Sequence, residues 1–124
     1  MKTPLKTIRG LGTTHHGTEH HWTMRLTSAA LLFLSIGFIW FVICALNADY
    51  ASAKALVGHP VVAVMLLLYV IVGCYHMYQG SLTITEDYLQ NQLYRTAAKI
   101  ASFFLSTVVG AACVFAVLKV SFGG

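Results

Sequence analysis

Charged side chains are scarce in this chain of 124 residues: they form 10% of it, whereas hydrophobic residues form 57%. An ordinary soluble domain carries about one quarter charged residues, and a chain this short could not hide so large an apolar excess in one core. The eight lysines and arginines are spread over tails and loops, so the basic face of a nucleic-acid-binding protein is absent. The composition predicts an all-α integral membrane protein that contacts lipid and no nucleic acid.

Cysteine is also scarce, and its spacing excludes the usual metal clusters. Cys44, Cys74 and Cys113 lie 30 and 39 residues apart, each within an apolar run, which fits neither a zinc site nor an iron–sulfur cluster. The sequence also lacks a glycine-rich dinucleotide fingerprint. We predict buried, inert thiols, and expect any flavin or iron–sulfur cluster that works with this chain to lie in other subunits.

Long apolar runs are what the sequence does have. Residues 26–46 are uncharged, and 21 residues of helix span the roughly 30 Å of a bilayer's hydrocarbon layer. This run is longer than a signal-peptide core of about 7–15 residues and follows a polar segment, so we expect it to stay in the mature protein. The predicted organisation is an N-terminal segment 1–25, membrane helices 26–46, 58–85 and 97–119, and a loop 86–96 between the last two helices.

The distribution of basic residues predicts the orientation of these helices. With the N terminus in the cytoplasm, six basic residues lie inside and two outside: inside Lys2, Lys6, Arg9, Arg25, Arg95 and Lys99, outside Lys54 and Lys119. The positive-inside rule therefore predicts an N-in, C-out protein. The loop with Glu86, Asp87 and Tyr88 then faces the cytoplasm, or the matrix in a mitochondrion.

His76 is an ionisable residue within the second membrane helix, which suggests a functional site. It lies nine residues from the predicted inner end, or about 13 Å below that surface. Helical periodicity puts it on one stripe with Tyr69, Gly73, Gly80, Thr83 and Asp87. The two flanking glycines leave room for a porphyrin whose iron takes a neutral imidazole. They could equally allow close helix packing, with the histidine hydrogen-bonded across the bundle.

A haem with two axial histidines would need a ligand from another chain. His59 is 17 residues from His76, about 25 Å along a helix, whereas two axial nitrogens lie only about 4 Å apart. We expect His59 to cap the outer end of the second helix instead. Near the N terminus, His16 and His20 could share a metal, or the segment could lie at the interface with Trp22 among the headgroups. Arg25 could neutralise a haem propionate or simply snorkel.

Two segments resemble the hydrophobic membrane anchor subunit of succinate dehydrogenase, the smaller of the two anchors of respiratory complex II. The first, residues 22–29, has an arginine at the start of the first helix followed by small residues. The second, residues 76–80, has a histidine with Asp87 and Tyr88 eleven and twelve positions later. The three-helix layout agrees over most of the chain, while these two segments are the diagnostic ones.

The resemblance implies roles for four residues. His76 would supply one axial ligand of haem b, with its iron, and the larger cytochrome b anchor subunit the other, the two anchors packing into one helical bundle. Arg25 would lie near the haem propionates or the quinone pocket. Tyr88 would donate a hydrogen bond to ubiquinone, and Asp87 would orient that residue or relay protons. FAD and the iron–sulfur clusters would belong to the flavoprotein and iron–sulfur subunits.

The resemblance also implies a function for the whole complex. The chain would be a non-catalytic anchor of succinate:quinone oxidoreductase in the bacterial inner membrane, rather than the mitochondrial one, where electrons from the tricarboxylic acid cycle enter the respiratory chain. One alternative is the anchor of a fumarate reductase, which runs the reaction in the other direction. Another is a haem-free structural or transport subunit in which His76 and Asp87 form a proton path. The sequence leaves the quinone type open.

Overall fold

A computed structural model describes residues 4–5, 10 and 16–123. Within the range 16–123, side chains are described from residue 19 onward. Over those residues the chain is all-helical, with four helices: α1 (His16–Leu46), α2 (Tyr50–Gly58), α3 (Pro60–Tyr88) and α4 (Gln92–Ser121). Three stretches are long and apolar enough to cross a membrane: Glu19–Leu46 within α1, and the whole of α3 and α4. The all-α fold with three membrane helices is therefore confirmed, while the N-in, C-out orientation stays a prediction.

The three long helices extend further than the apolar runs that predicted them. α1 begins at His16 rather than at residue 26, α3 continues to Tyr88 rather than 85, and α4 begins at Gln92 rather than 97. An apolar run marks the hydrocarbon layer, but a helix satisfies its own backbone and can continue through the headgroups into water. The predicted loop 86–96 is thus corrected to a turn of three residues, 89–91.

Side chains cap the ends of these helices. His59 precedes Pro60, the first residue of α3, and its Nδ1 accepts a hydrogen bond from the Val61 amide at 3.2 Å. The predicted capping role of His59 is confirmed, and proline fits there because its missing N–H has no partner in a first helical turn. Asn91 accepts from the Leu93 amide at 2.9 Å and caps α4 in the same way.

The short helix α2 connects α1 to α3 and was not predicted. Asp49 caps it by accepting a hydrogen bond from the Ser52 amide at 2.9 Å. α2 packs against the other three helices, mainly against α4. Gly58 at its end lies close to α4, since a Cβ there would be 3.8 Å from the Ser121 carbonyl oxygen. This helix therefore closes the end of the molecule opposite the 89–91 turn.

α3 is the central helix of an open row. It packs against α1 on one side and α4 on the other, whereas α1 and α4 do not pack directly against each other. Among the described residues, the buried hydrophobic side chains are only Val62, Ala63 and Leu66, all on α3. The cysteines predicted to be buried are free and half-buried, because a row of three helices encloses few positions. Most of the surface of α1 and α4 is left for lipid or other subunits.

Candidate functional site

Three side-chain hydrogen bonds join α1 to α3 and define what we call the polar seam. They connect Ser35 Oγ to Tyr69 Oη at 3.0 Å, Thr27 Oγ1 to His76 Nδ1 at 2.9 Å, and His20 Nε2 to Thr83 Oγ1 at 3.2 Å. Successive members are seven residues apart on α3 and seven or eight apart on α1, which is about two helical turns. The seam therefore fixes the register of two antiparallel helices.

Four residues of the predicted stripe face α1: Tyr69, Gly73, His76 and Thr83. The two glycines of the stripe have different surroundings. A Cβ at Gly73 would lie 3.8 Å from Leu31 Cδ2 of α1, whereas one at Gly80 would have no described residue within 4 Å. Gly73 thus allows close helix packing, and Gly80 borders open space one turn beyond His76.

His76 is half-buried, and one of its two ring nitrogens is in use. Its Nδ1 bonds to Thr27, so the cross-bundle hydrogen bond that was one interpretation of the sequence is confirmed. Its Nε2 forms no hydrogen bond within the described part of the chain. A half-buried imidazole with an unused nitrogen, one helical turn from the open space at Gly80, fits the donor chemistry of a haem ligand. The haem interpretation therefore remains compatible with the packing interpretation.

The register places Arg25 at nearly the same depth as His76. Arg25 is two residues from Thr27, the partner of His76, and so lies about 3 Å from that level along the axis. Measured along α1, His76 therefore lies level with the start of the uncharged run 26–46. The sequence placed it about 13 Å from the end of the predicted helix 58–85. Two residues also correspond to about 200° around a helix, so Arg25, which is exposed, occupies the face of α1 turned away from α3.

Asp87 and Tyr88 lie in the last turn of α3, not in a loop as predicted. Both are exposed, Tyr88 to 79%, and they lie roughly 16–18 Å from His76 along the axis. Glu86 instead forms an ion pair with Lys99 Nζ at 3.1 Å. This exposed pair links α3 to α4 across the 89–91 turn, leaving Asp87 and Tyr88 at the end of the molecule that carries this turn.

An open groove runs over α3 between α1 and α4. Two adjoining cavities of about 400 Å³ and 410 Å³ form it, and they share Phe38, Tyr69, Val70 and Cys113. Its walls are almost entirely apolar, and none of the four predicted site residues lines either cavity. The chain therefore brings His76 to Thr27, and His76, Arg25, Asp87 and Tyr88 all lie outside this groove.

Sequence reasoning did not single out Thr27 and Ser35 of the polar seam, and it named His20 only as a candidate metal ligand. The spacing of these three residues, read in reverse, agrees to within one residue with the spacing of Tyr69, His76 and Thr83. That match is the signal by which an antiparallel seam could have been found.

The predicted metal site of the N-terminal histidines depends on His16, whose side chain lies outside the described residues. His20 is in the polar seam, and the described residues contain no cluster of three potential metal ligands.

Known proteins resemble this chain over nearly its full length. Residues 1–117 match the family model described as succinate dehydrogenase/fumarate reductase transmembrane subunit. The succinate dehydrogenase hydrophobic membrane anchor subunit of Paracoccus denitrificans is 36% identical over 121 residues, covering 98% of this chain and 93% of that protein. The protein of the same name from Rickettsia bellii is 28% identical over 100 residues, covering 80% of each chain. No solved structure matches significantly. The chain belongs to the succinate dehydrogenase/fumarate reductase transmembrane subunits, and within them to the membrane anchors of succinate dehydrogenase.

Proposed function

We propose that this anchor supplies one axial ligand of haem b through Nε2 of His76, and that the larger cytochrome b anchor subunit supplies the other. The observation that carries this is the state of the His76 ring: Nδ1 is held by Thr27, while Nε2 is unbonded within the described chain. His59 is engaged as the cap at the other end of α3. Bound haem supplies a one-electron redox centre.

The open space at Gly80 supports this proposal. A flat macrocycle beside a helix needs room above and below its axial ligand, and a Cβ at Gly80 would meet nothing within 4 Å in the part of the chain that the structure describes. Arg25 is the proposed partner of a propionate or of the quinone pocket. Arg25 lies at nearly the same depth as His76, which supports that role. Because it is on the face of α1 away from α3, its long side chain would have to reach around α1 to the propionate or the quinone.

We assign quinone binding to Tyr88 and Asp87. The phenol of Tyr88 would donate a hydrogen bond to a carbonyl oxygen of ubiquinone, and the Asp87 carboxylate would orient that phenol or pass protons to the reduced quinone. Both side chains are exposed in the last turn of α3, at the end of the helix predicted to face the cytoplasm. They line neither cavity of the groove, so the iron–sulfur subunit and the larger anchor would complete the pocket.

The open row of helices supports an anchoring role among several subunits. Large apolar side chains such as Phe33, Trp40, Phe104 and Phe115 are more than half exposed on α1 and α4. These surfaces suit lipid and the helices of the larger anchor subunit in a bacterial inner membrane. Succinate oxidation on FAD and electron transfer through iron–sulfur clusters would take place in the flavoprotein and iron–sulfur subunits, so this chain has no catalytic activity alone.

A reduced-minus-oxidised optical spectrum of the detergent-purified complex tests haem ligation. We expect a b-type signal that is weakened or shifted by His76→Ala and unchanged by His59→Ala, which removes a histidine from the other end of the same helix. A complex without haem, or one whose spectrum ignores His76→Ala, would remove the proposal. Either result would favour the interpretation of the chain as a haem-free structural or transport subunit.

The quinone assignment predicts a selective defect in Tyr88→Phe. Loss of one hydrogen bond of about 1–1.5 kcal/mol should reduce quinone reduction roughly tenfold. Succinate oxidation with an artificial dye acceptor should be nearly unchanged, because it does not need the quinone pocket. Tyr94→Phe is the matched control, an exposed tyrosine just beyond the 89–91 turn. Equal loss of both activities in Tyr88→Phe would point to failed assembly instead.

A further inference from the structure

We infer that Thr27 is a positioning residue: it accepts a hydrogen bond from Nδ1–H of His76 and so fixes the tautomer and direction of the histidine that would bind haem. This inference rests on the proposed haem ligation by His76 and adds a residue from a different helix. The observation behind it is the set of distances around one hydroxyl oxygen.

The Thr27 hydroxyl has three neighbours and only one proton. Its Oγ1 lies 2.7 Å from the Thr23 carbonyl oxygen, 3.2 Å from the Met24 carbonyl oxygen and 2.9 Å from His76 Nδ1. A carbonyl oxygen can only accept a hydrogen bond, and two oxygens at 2.7 Å attract each other only with a proton between them. The hydroxyl therefore donates to Thr23 and offers a lone pair to His76.

This assignment determines where the proton of His76 lies. Since Thr27 accepts, Nδ1 of His76 must donate and therefore carries the proton. A neutral imidazole has one N–H, so Nε2 is left with its lone pair. A neutral nitrogen with a free lone pair is the form that binds a metal, and a hydrogen bond on the other ring nitrogen increases its basicity and fixes the ring plane.

The backbone of α1 makes Thr27 a rigid acceptor. Threonine is branched at Cβ and has few χ1 rotamers in a helix, and here its hydroxyl is tied to a carbonyl of its own helix. The ring of His76 is thus held against α1. The Ser35–Tyr69 bond offers a matched comparison, because it joins the same two helices two turns away without involving the histidine.

The test uses the assembled complex purified with wild-type, Thr27→Val, Thr27→Ala, Thr27→Ser or Ser35→Ala anchors. The readouts are the haem-to-flavin ratio, the EPR spectrum of the oxidised haem and its midpoint potential. Valine and alanine should raise the potential, because His76 becomes a weaker donor to ferric iron, and should change the g values, because the ring is freed. Haem affinity should fall about 10- to 100-fold. Thr27→Ser, which keeps the hydroxyl, and Ser35→Ala should resemble wild type.

The outcomes separate this inference from the function on which it rests. A potential and EPR spectrum unchanged in both Thr27→Val and Thr27→Ala, with haem still dependent on His76, would overturn the positioning role alone. The same shift in Ser35→Ala would also overturn it, since loosened helix packing would then be the cause. A spectrum insensitive to His76→Ala would instead reject haem ligation itself. If valine prevents assembly, Thr27→Ala carries the same expectation without crowding the ring.

Discussion

The two nitrogens of His76 have separate tasks in this structure. One holds α3 to α1 through Thr27, and the other is available for a ligand. The sequence predicted that His76 was special, because an ionisable side chain in an apolar segment needs a reason to be there. It could not identify Thr27 as the partner, since that contact joins residues 49 positions apart and depends on the register of two helices.

Gly80 gives a prediction about the space beside His76. A Cβ at position 80 would meet nothing within 4 Å among the described residues, so Gly80→Leu should leave the three-helix fold and membrane insertion intact. If haem and the partner subunit fill that space, the leucine should strongly lower the haem content of the complex, and Gly80→Ala should lower it less. Haem and flavin are quantified together in the purified complex. Full haem content in Gly80→Leu would place the haem elsewhere.

The helices show what an apolar run can and cannot predict. It located all three membrane helices, because hydrocarbon excludes charge. It did not locate their ends, because residues such as Glu86 and Asp87 continue a helix beyond the apolar run. The helix α2 was missed because nine residues carry too little periodicity. Its one local signal was Asp49 before Ser52, a capping residue at the start of a short run of good helix formers.

The cap of α2 should make this helix sensitive to acid. Hydrogen bonds from the side chain and backbone of Ser52 hold the pKa of Asp49 below its ordinary value of 3.8. Because the pKa is lowered in the folded state, the carboxylate stabilises α2 above 3.8, and this contribution is lost as the pH falls through the lower, folded value.

Hydrogen exchange of the α2 amides in detergent, measured from pH 6 downward, checks this expectation. Protection at the start of α2 should fall below pH 3.8 in wild type. Asp49→Asn keeps an acceptor oxygen and should lose this pH dependence, while Asp49→Ala should be poorly protected at every pH. An acid-induced loss of equal size in Asp49→Asn would show that another group is responsible.

The orientation of the whole chain is a prediction from its charges. A reporter that is active only outside the cytoplasm, fused after the last residue, should be active, whereas the same reporter within the 89–91 turn should be inactive. Removing the two lysines that are predicted to lie outside, by Lys54→Gln and Lys119→Gln, should strengthen this pattern. Activity at the 89–91 turn and none at the C terminus would reverse the orientation.

The lateral order of the helices lay beyond sequence reasoning. Hydropathy states which segments cross a bilayer but not which of them are neighbours, and lipid is nearly as apolar as the side chains that could pack together. The structure shows a row with α3 in the centre and no direct packing between α1 and α4. From the sequence, only the polar residues of α3 indicated a face that packs against another helix, and they indicated one of the two packed faces of α3.

The polar seam also bears on how the chain is built into the membrane. α1 is synthesised first and enters the bilayer before α3 exists, and the hydroxyl of Thr27 meanwhile donates to the Thr23 carbonyl of its own helix. The hydroxyl proton of Thr27 is therefore hydrogen-bonded before α3 packs against α1. When α3 packs against α1, His76 donates to the Thr27 hydroxyl oxygen, which is already oriented by its own helix. α1 thus acts as a template on which α3 docks, and the chemistry of its side chains, rather than the length of the connection, selects the correct alignment.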